Sequence, residues 1–174
     1  EQEEATIGVV PDPLDGDGLR IQYANTSFGQ GISMTLQQYA SAFSAIVNGG
    51  TYYQPTVVYG VKTLDGIKEQ QPKVLKSNVV CSDTTGVVLD LLRQYADYSL
   101  VPAKRDGFMV GGKSGTAQVP DFQKGGYRTD VLNATYAGYV GRTKPKYVVV
   151  LRLDEGTWDG LSFSGGYSAK PVFI

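Results

Sequence analysis

The sequence predicts an α+β fold in which helices pack an antiparallel sheet, and three observations carry that expectation. Apolar residues recur at helical spacing in two separate stretches, each preceded by a capping signal or followed by a stop. The last third of the chain breaks instead into runs rich in β-branched and aromatic residues, divided by glycine, proline and polar turns. At 174 residues the chain is long enough for one compact domain with a sizeable core.

Taken in order, residues 1–30 are dominated by Gly, Asp and Pro, as in PDPLDGDG at 11–18, and read as largely irregular loop. Thr35 followed by Gln38 is a capping-box pattern, and Leu36, Tyr39, Ala40, Phe43, Ile46 and Val47 make one apolar face. Asn48, Gly49 and Gly50 then stop the helix. TYYQPTVVYGVKT (51–63) reads as one or two extended segments, LDGIKEQ (64–70) as a turn region and PKVLKSNVV (72–80) as another strand. A second helix is expected from Ser82 or Thr84 to Ala96, with Val87, Val88, Leu91, Leu92 and Tyr95 as its buried stripe. Strands follow at 108–118, 133–141 and 146–153, with Pro145 opening the last and the polar stretch PDFQKGGYRTDVL (120–132) as a long connection. The closing SFSGGYSAKPVFI (162–174) has the look of a helix without its stop.

Composition removes several chemistries. The chain has no histidine, which excludes within it Ser-His-Asp and Cys-His catalysis and histidine-ligated zinc. The single Cys81 permits no internal disulfide and no thiolate metal cluster, and its neighbours Val79 and Val80 suggest a buried small hydrophobe. A net charge of −1 without a basic stripe gives no sign of a nucleic-acid partner, and nothing calls for a metal or other cofactor. An acid–base or nucleophilic site must therefore draw on Lys, Ser, Thr, Tyr or carboxylates.

One stretch concentrates such groups. Gly107 to Ser114 satisfies G-x-x-x-x-G-K-[ST], the phosphate-cradling P-loop pattern, and YVVVLRLDE (147–155) imitates a magnesium-positioning strand. The context opposes a nucleotide triphosphatase. VPAKRD (101–106) is no buried strand, Gly115 and Pro120 leave little room for the helix a P-loop needs, and Arg152 interrupts the supposed magnesium strand. Read as a strand, 108–118 has a simpler logic. A period of two places Ser114 and Thr116 on one face and Lys113 and Gly115 on the other. Two hydroxyls and a lysine near a sheet edge can hold a carboxylate. Gly115 admits a close backbone, an extended peptide can pair along the strand, and a main-chain N–H can serve an oxyanion.

Lys113-Ser114-Gly115 also matches the K-[ST]-G element of enzymes that react with penicillin, and its surroundings extend the likeness. FGQG at 28–31, ISMTLQQYASAFSAIVNGGTYYQP at 32–55, VGGKSGTAQ at 110–118, NATYAGYVG at 133–141 with KYVVVLRLDEG at 146–156, and SGGYSAKPVF at 164–173 stand in one order. Together they resemble the class B penicillin-binding proteins, the peptidoglycan D,D-transpeptidases of bacterial septum and side-wall synthesis. The resemblance implies a β-lactamase-like transpeptidase fold, of which residues 1–174 would be an incomplete C-terminal portion. It implies that Lys113 supplies positive charge to the pocket, and that Ser114 and Thr116 bind the carboxylate of a D-Ala-D-Ala stem peptide or a β-lactam beside Gly115. The backbone N–H of Thr116 would be half of an oxyanion hole, and Gln118 would contact acyl-donor side chains. For Phe28 to Gly31 a loop braced against the core is the favoured reading over direct chemistry.

The family uses three motifs, and this sequence holds the third. No lysine has a serine three positions earlier and no serine has an asparagine two positions later, so S-x-x-K and S-x-N are both absent from it. The nucleophile and its activating lysine are expected upstream of Glu1, which would leave this chain inert alone. Tyr98-Ser99-Leu100-Val101-Pro102-Ala103 also departs from the family's G-T-G-x-x-A turn, placing the pocket's edge in question. Implied partners are the upstream part of the same domain and proteins of the division or elongation complex, with self-association through uncovered apolar surface. The implied location is the bacterial envelope, on the extracytoplasmic side of a plasma-membrane anchor. A non-catalytic pseudo-enzyme that keeps the fold as a scaffold is the alternative.

Overall fold

The structure, a computed structural model, describes residues 8–12, 14, 17–121, 123–159 and 161–174. Its centre is a three-stranded antiparallel sheet in the order β5-β6-β7, formed by Met109–Pro120, Tyr127–Gly141 and Pro145–Leu153. Directly opposed residues of an antiparallel pair share a face, so the register divides the sheet. Ser114 stands opposite Tyr136 and Thr116 opposite Ala134, whereas Lys113 stands opposite Ala137 and Gly111 opposite Tyr139. The alternation expected for Lys113, Ser114, Gly115 and Thr116 is therefore present.

Each face has its own core. On the Tyr136 face, Ala96, Leu100, Ala134 and Ala169 are buried with Val110, Leu151 and Phe173 beside them. Here α3 (Ser82–Ser99) and the short α4 (Ala169–Phe173) supply the cover, and the Tyr136 and Phe173 rings lie 4.8 Å apart. On the opposite face α2 (Leu36–Val47) lays Tyr39, Phe43 and Val47 over Ala137, Tyr139, Val148 and Val150, joined by Leu89 and Leu92 of α3. Helix α3 thus passes beside β5 and contributes to both cores.

The capping box at α2 is complete. Thr35 Oγ1 accepts from the Gln38 N–H at 3.1 Å, and Gln38 Oε1 accepts from the Thr35 N–H at 2.9 Å. Beyond α2, β1 (Tyr52–Tyr53) pairs with β4 (Val74–Lys76), and β2 (Gly60–Thr63) pairs with β3 (Gly66–Glu69) as a projecting hairpin. β8 (Thr157–Trp158) and β9 (Leu161–Ser162) form a last small hairpin before α4.

Several expectations are corrected. Within 1–30, taken as largely loop, Asp17–Asn25 forms a helix, α1, followed by a 3-10 turn over Thr26–Phe28. The breakers sit upstream of Ile21-Gln22-Tyr23-Ala24, and Ile21 and Tyr23 of α1 are both exposed. Residues 1–7, 13, 15 and 16 of that stretch lie outside the described residues. The end of the supposed turn region is strand β3, paired with β2 around Leu64-Asp65. Of the expected stripe of α3, Val88, Leu92 and Tyr95 are half-buried, but its other members are not. Val87 and Leu91 are 61% and 58% exposed, while Thr85, Leu89, Leu92 and Ala96 face inward. The helix also continues to Ser99. The long connection is largely strand: β5 runs to Pro120 and β6 starts at Tyr127. Between them, Asp121 Oδ1 accepts from the N–H groups of Gln123 and Lys124, both at 3.0 Å. Cys81 is exposed at the head of α3, not buried, because it precedes the first helical turn rather than facing a core.

Candidate functional site: the free edge of β5

Among the described residues β5 is an edge strand, bonded to β6 on one side. Lys113 is exposed, Ser114 and Gly115 are half-buried, and Thr116 and Gln118 are exposed again. The strand continues unbroken from Met109 through Pro120, with no helix after Ser114, so Gly107 to Ser114 does not form a phosphate loop.

Lys113 Nζ donates to the carbonyl of Ser114 at 2.7 Å and stands 5.5 Å from the centroid of the Tyr95 ring. That distance is within the range at which an ammonium is drawn to an aromatic face. Ser114 Oγ lies 3.5 Å from Tyr95 Oη. Thr116 Oγ1 accepts from the backbone N–H of Gly165 at 3.0 Å. A hydroxyl whose lone pair is engaged in this way keeps its own hydrogen for another acceptor. Gly165 allows this packing, and Gly115 leaves room for Thr135 on the opposite face. A Cβ on Gly165 would fall on the Gly115 and Thr135 carbonyl oxygens, and a Cβ on Gly115 would fall on Thr135 Oγ1. The loop Ser164-Gly165-Gly166 can therefore rest directly on β5.

Behind the C-terminal half of β5 a cleft of about 640 Å³ opens between the strand and the loop that precedes α2. Gln30, Ile32, Tyr39, Gln118, Thr135 and Arg152 are among the residues that line it. Gln30 Nε2 reaches Gln118 Oε1 across the opening at 3.5 Å. Gly29, Gln30 and Gly31 thus form a wall of the cleft, and Phe28 before them is 67% exposed rather than braced against the core. Tyr39 and Thr135 are hydrogen-bonded in the floor, where burial pushes the Tyr39 phenol up and Thr135 partly offsets that. Arg152 is paired with Asp154 at 2.5 Å.

Lys113, Ser114, Gly115, Thr116 and Gln118 therefore share one edge. Sequence reasoning missed three of their neighbours: Tyr95, which it placed in a buried stripe, Gln30 and Gly165. For Gly165 the signal was present, since paired glycines before a helix in a sheet-rich segment invite a close backbone approach. For Tyr95 only the helical spacing from Ala96 and Leu92 could have pointed toward β5. Beneath this corner Tyr136 Oη and Ser99 Oγ are buried and have no hydrogen-bond partner among the described residues. Burial, and secondarily Tyr95, raise the Tyr136 phenol well above its ordinary range, so it remains protonated.

The sequence model of the penicillin binding protein transpeptidase domain matches residues 3–174. Penicillin-binding protein PbpB of Mycobacterium tuberculosis is 31% identical over 97% of this chain, which spans 26% of that relative. A peptidoglycan D,D-transpeptidase FtsI homolog of Mesostigma viride is 30% identical over 91% of the chain, which spans 28% of it. Among solved structures, penicillin binding protein 3 of M. tuberculosis complexed with ampicillin superposes with a TM-score of 0.77. The two are 31% identical, and the match covers 97% of this chain and 38% of that one. The chain thus spans less than a third of the length of these curated relatives.

Proposed function

The chain belongs to the penicillin-binding protein transpeptidase family, of class B, and on that premise we propose that it forms the substrate-binding wall of a peptidoglycan D,D-transpeptidase domain. In this reading residues 1–174 are the C-terminal portion of the domain, and the nucleophilic serine comes from the segment before Glu1. The ligand is the D-Ala-D-Ala end of a stem peptide, or a β-lactam in its place. It lies extended along β5, its carboxylate held by the hydroxyls of Ser114 and Thr116 and by the charge of Lys113.

One observation carries the reading: Lys113, Ser114 and Thr116 stand together on an edge strand, and the Gly165 N–H fixes the Thr116 hydroxyl. The Thr116 amide is the proposed oxyanion donor, and strand geometry supports it. Lys113 Nζ reaches the Ser114 carbonyl, which places that group on the open side of β5. A strand residue's N–H and C=O point to the same side, and the residue two along repeats that direction. Thr116 then offers its N–H to the open edge, where an acyl intermediate would develop negative charge. Gln118, bridged to Gln30, is positioned toward the acyl-donor side. Division- or elongation-complex proteins and the bacterial envelope are the partner and location that accompany this reading. No helix of the described residues is long and apolar enough to cross a membrane.

Intact-mass measurement after β-lactam exposure tests the proposal. The full-length protein is expected to gain one adduct mapping outside residues 1–174, and Lys113→Ala to slow acylation by on the order of 10²-fold. The 174-residue chain alone is expected to gain none. An adduct on the isolated chain, or a full-length protein that never acylates, overturns it.

A further inference from the structure

We propose that Tyr95 is a ligand-binding residue of this edge, its phenol donating to the ligand's terminal carboxylate alongside Ser114. The inference rests on the acyl-transfer reading above and extends it to a residue outside the K-S-G-T element.

The geometry at the corner supports it. Tyr95 Oη and Ser114 Oγ are 3.5 Å apart, longer than the usual 2.5–3.0 Å of an O–H···O bond. Neither hydroxyl is therefore strongly committed to the other. An anionic oxygen seated between them can accept from both at about 2.7 Å, the length typical of a charge-assisted bond. The centroid of the same ring lies 5.5 Å from the Lys113 ammonium, which bonds the Ser114 carbonyl, so a positive charge stands beside the two donors.

Helix α3 holds the phenol there. It extends through Ser99, where the resemblance leads one to expect a glycine-rich turn, and Tyr95 stands in its penultimate turn. Tyr98 braces the ring edge-on, with centroids 5.4 Å apart and planes at 80°. Ala96 and Leu100, both fully packed in the core, fix the helix against the sheet. A donor presented from a rigid helix is better oriented than one on a loop.

The test compares second-order acylation rates of the full-length protein with a fluorescent penicillin and with the methyl ester of the same penicillin. Tyr95→Phe keeps the ring and removes only the hydroxyl. It is expected to slow reaction with the free acid about tenfold, as the loss of one hydrogen bond to a charged group implies, and to leave the ester rate essentially unchanged. Ser114→Ala should show the same acid-selective loss, and Tyr98→Phe should match the parent on both. A Tyr95→Phe protein with the parent's acid-to-ester ratio overturns the assignment and leaves the acyl-transfer reading intact. If the unsubstituted protein reacts with neither penicillin, the acyl-transfer reading and this assignment fall together.

Discussion

Cys81 occupies the N-cap of α3 with its sulfur 3.0 Å from Thr84 Oγ1, and that hydroxyl, helped by the Thr84 amide, lowers the thiol's pKa. The thiol is an acid, so a depressed pKa means that the thiolate forms at lower pH than in an unstructured chain. Alkylation by iodoacetamide should accordingly reach half its maximal rate below about pH 8.5, the value of an unperturbed cysteine. Replacing Thr84 with Val should return the midpoint upward. An unshifted profile in the parent would contradict the assigned cause. The sequence offered Val79-Val80 beside this cysteine and so suggested burial. What decides its exposure is the change of backbone direction at the helix start, which a window of neighbouring hydrophobes does not report.

At the level of elements, legibility followed the strength of the local signal. Helix α2 was readable to within a residue because a capping box, an apolar stripe and a glycine stop all agree. Thr35→Ala should therefore cost about 1 kcal/mol of unfolding free energy, measured in urea, since it leaves the Gln38 N–H without its cap. No loss at all would mean that tertiary packing alone sets that end. The sheet was half legible. KYVVVLRL announces a strand, but Tyr127-Arg128-Thr129-Asp130 does not, and it joins β6 all the same. There the backbone pairs Tyr127 with Pro120, and the side chains that look like loop are engaged in ion pairs, Arg128 with Asp130 at 2.8 Å and with Glu155 at 2.6 Å. The α3 stripe was only partly legible for a related reason. Val87 and Leu91 are as hydrophobic as Leu89 and Leu92, and the positions of α2 and β6 decide which pair is covered. The K-S-G-T residues were legible as a motif, whereas Tyr95 carries no local pattern, and Gln30 and Gly165 sit in recognisable stretches that do not say which strand they reach.

For the molecule as a whole, the central sheet has two unbonded edges among the described residues, β5 and β7. On β7, Tyr147, Val149 and Leu153 are exposed, and the β2–β3 hairpin adds Val61, Leu64 and Ile67. Open strand edges flanked by apolar side chains favour pairing with another chain. The isolated chain should therefore show an apparent mass that rises with concentration in light scattering. A constant monomer mass would argue that its own loops and charges suffice to protect the edge. In the full-length protein, the proposed upstream part of the domain is the natural occupant of such surface.

The contact between Gly165 and Thr116 spans 49 residues of sequence and joins the segment leading into α4 to the hydroxyl proposed to meet the ligand. That segment is anchored by Ala169 and by Phe173 against Tyr136. A replacement there can tilt one hydroxyl without altering any ligand-contacting side chain. On the proposed reading, ligand affinity would then be open to change from α4 and the loop before it, at a distance from the K-S-G-T residues themselves.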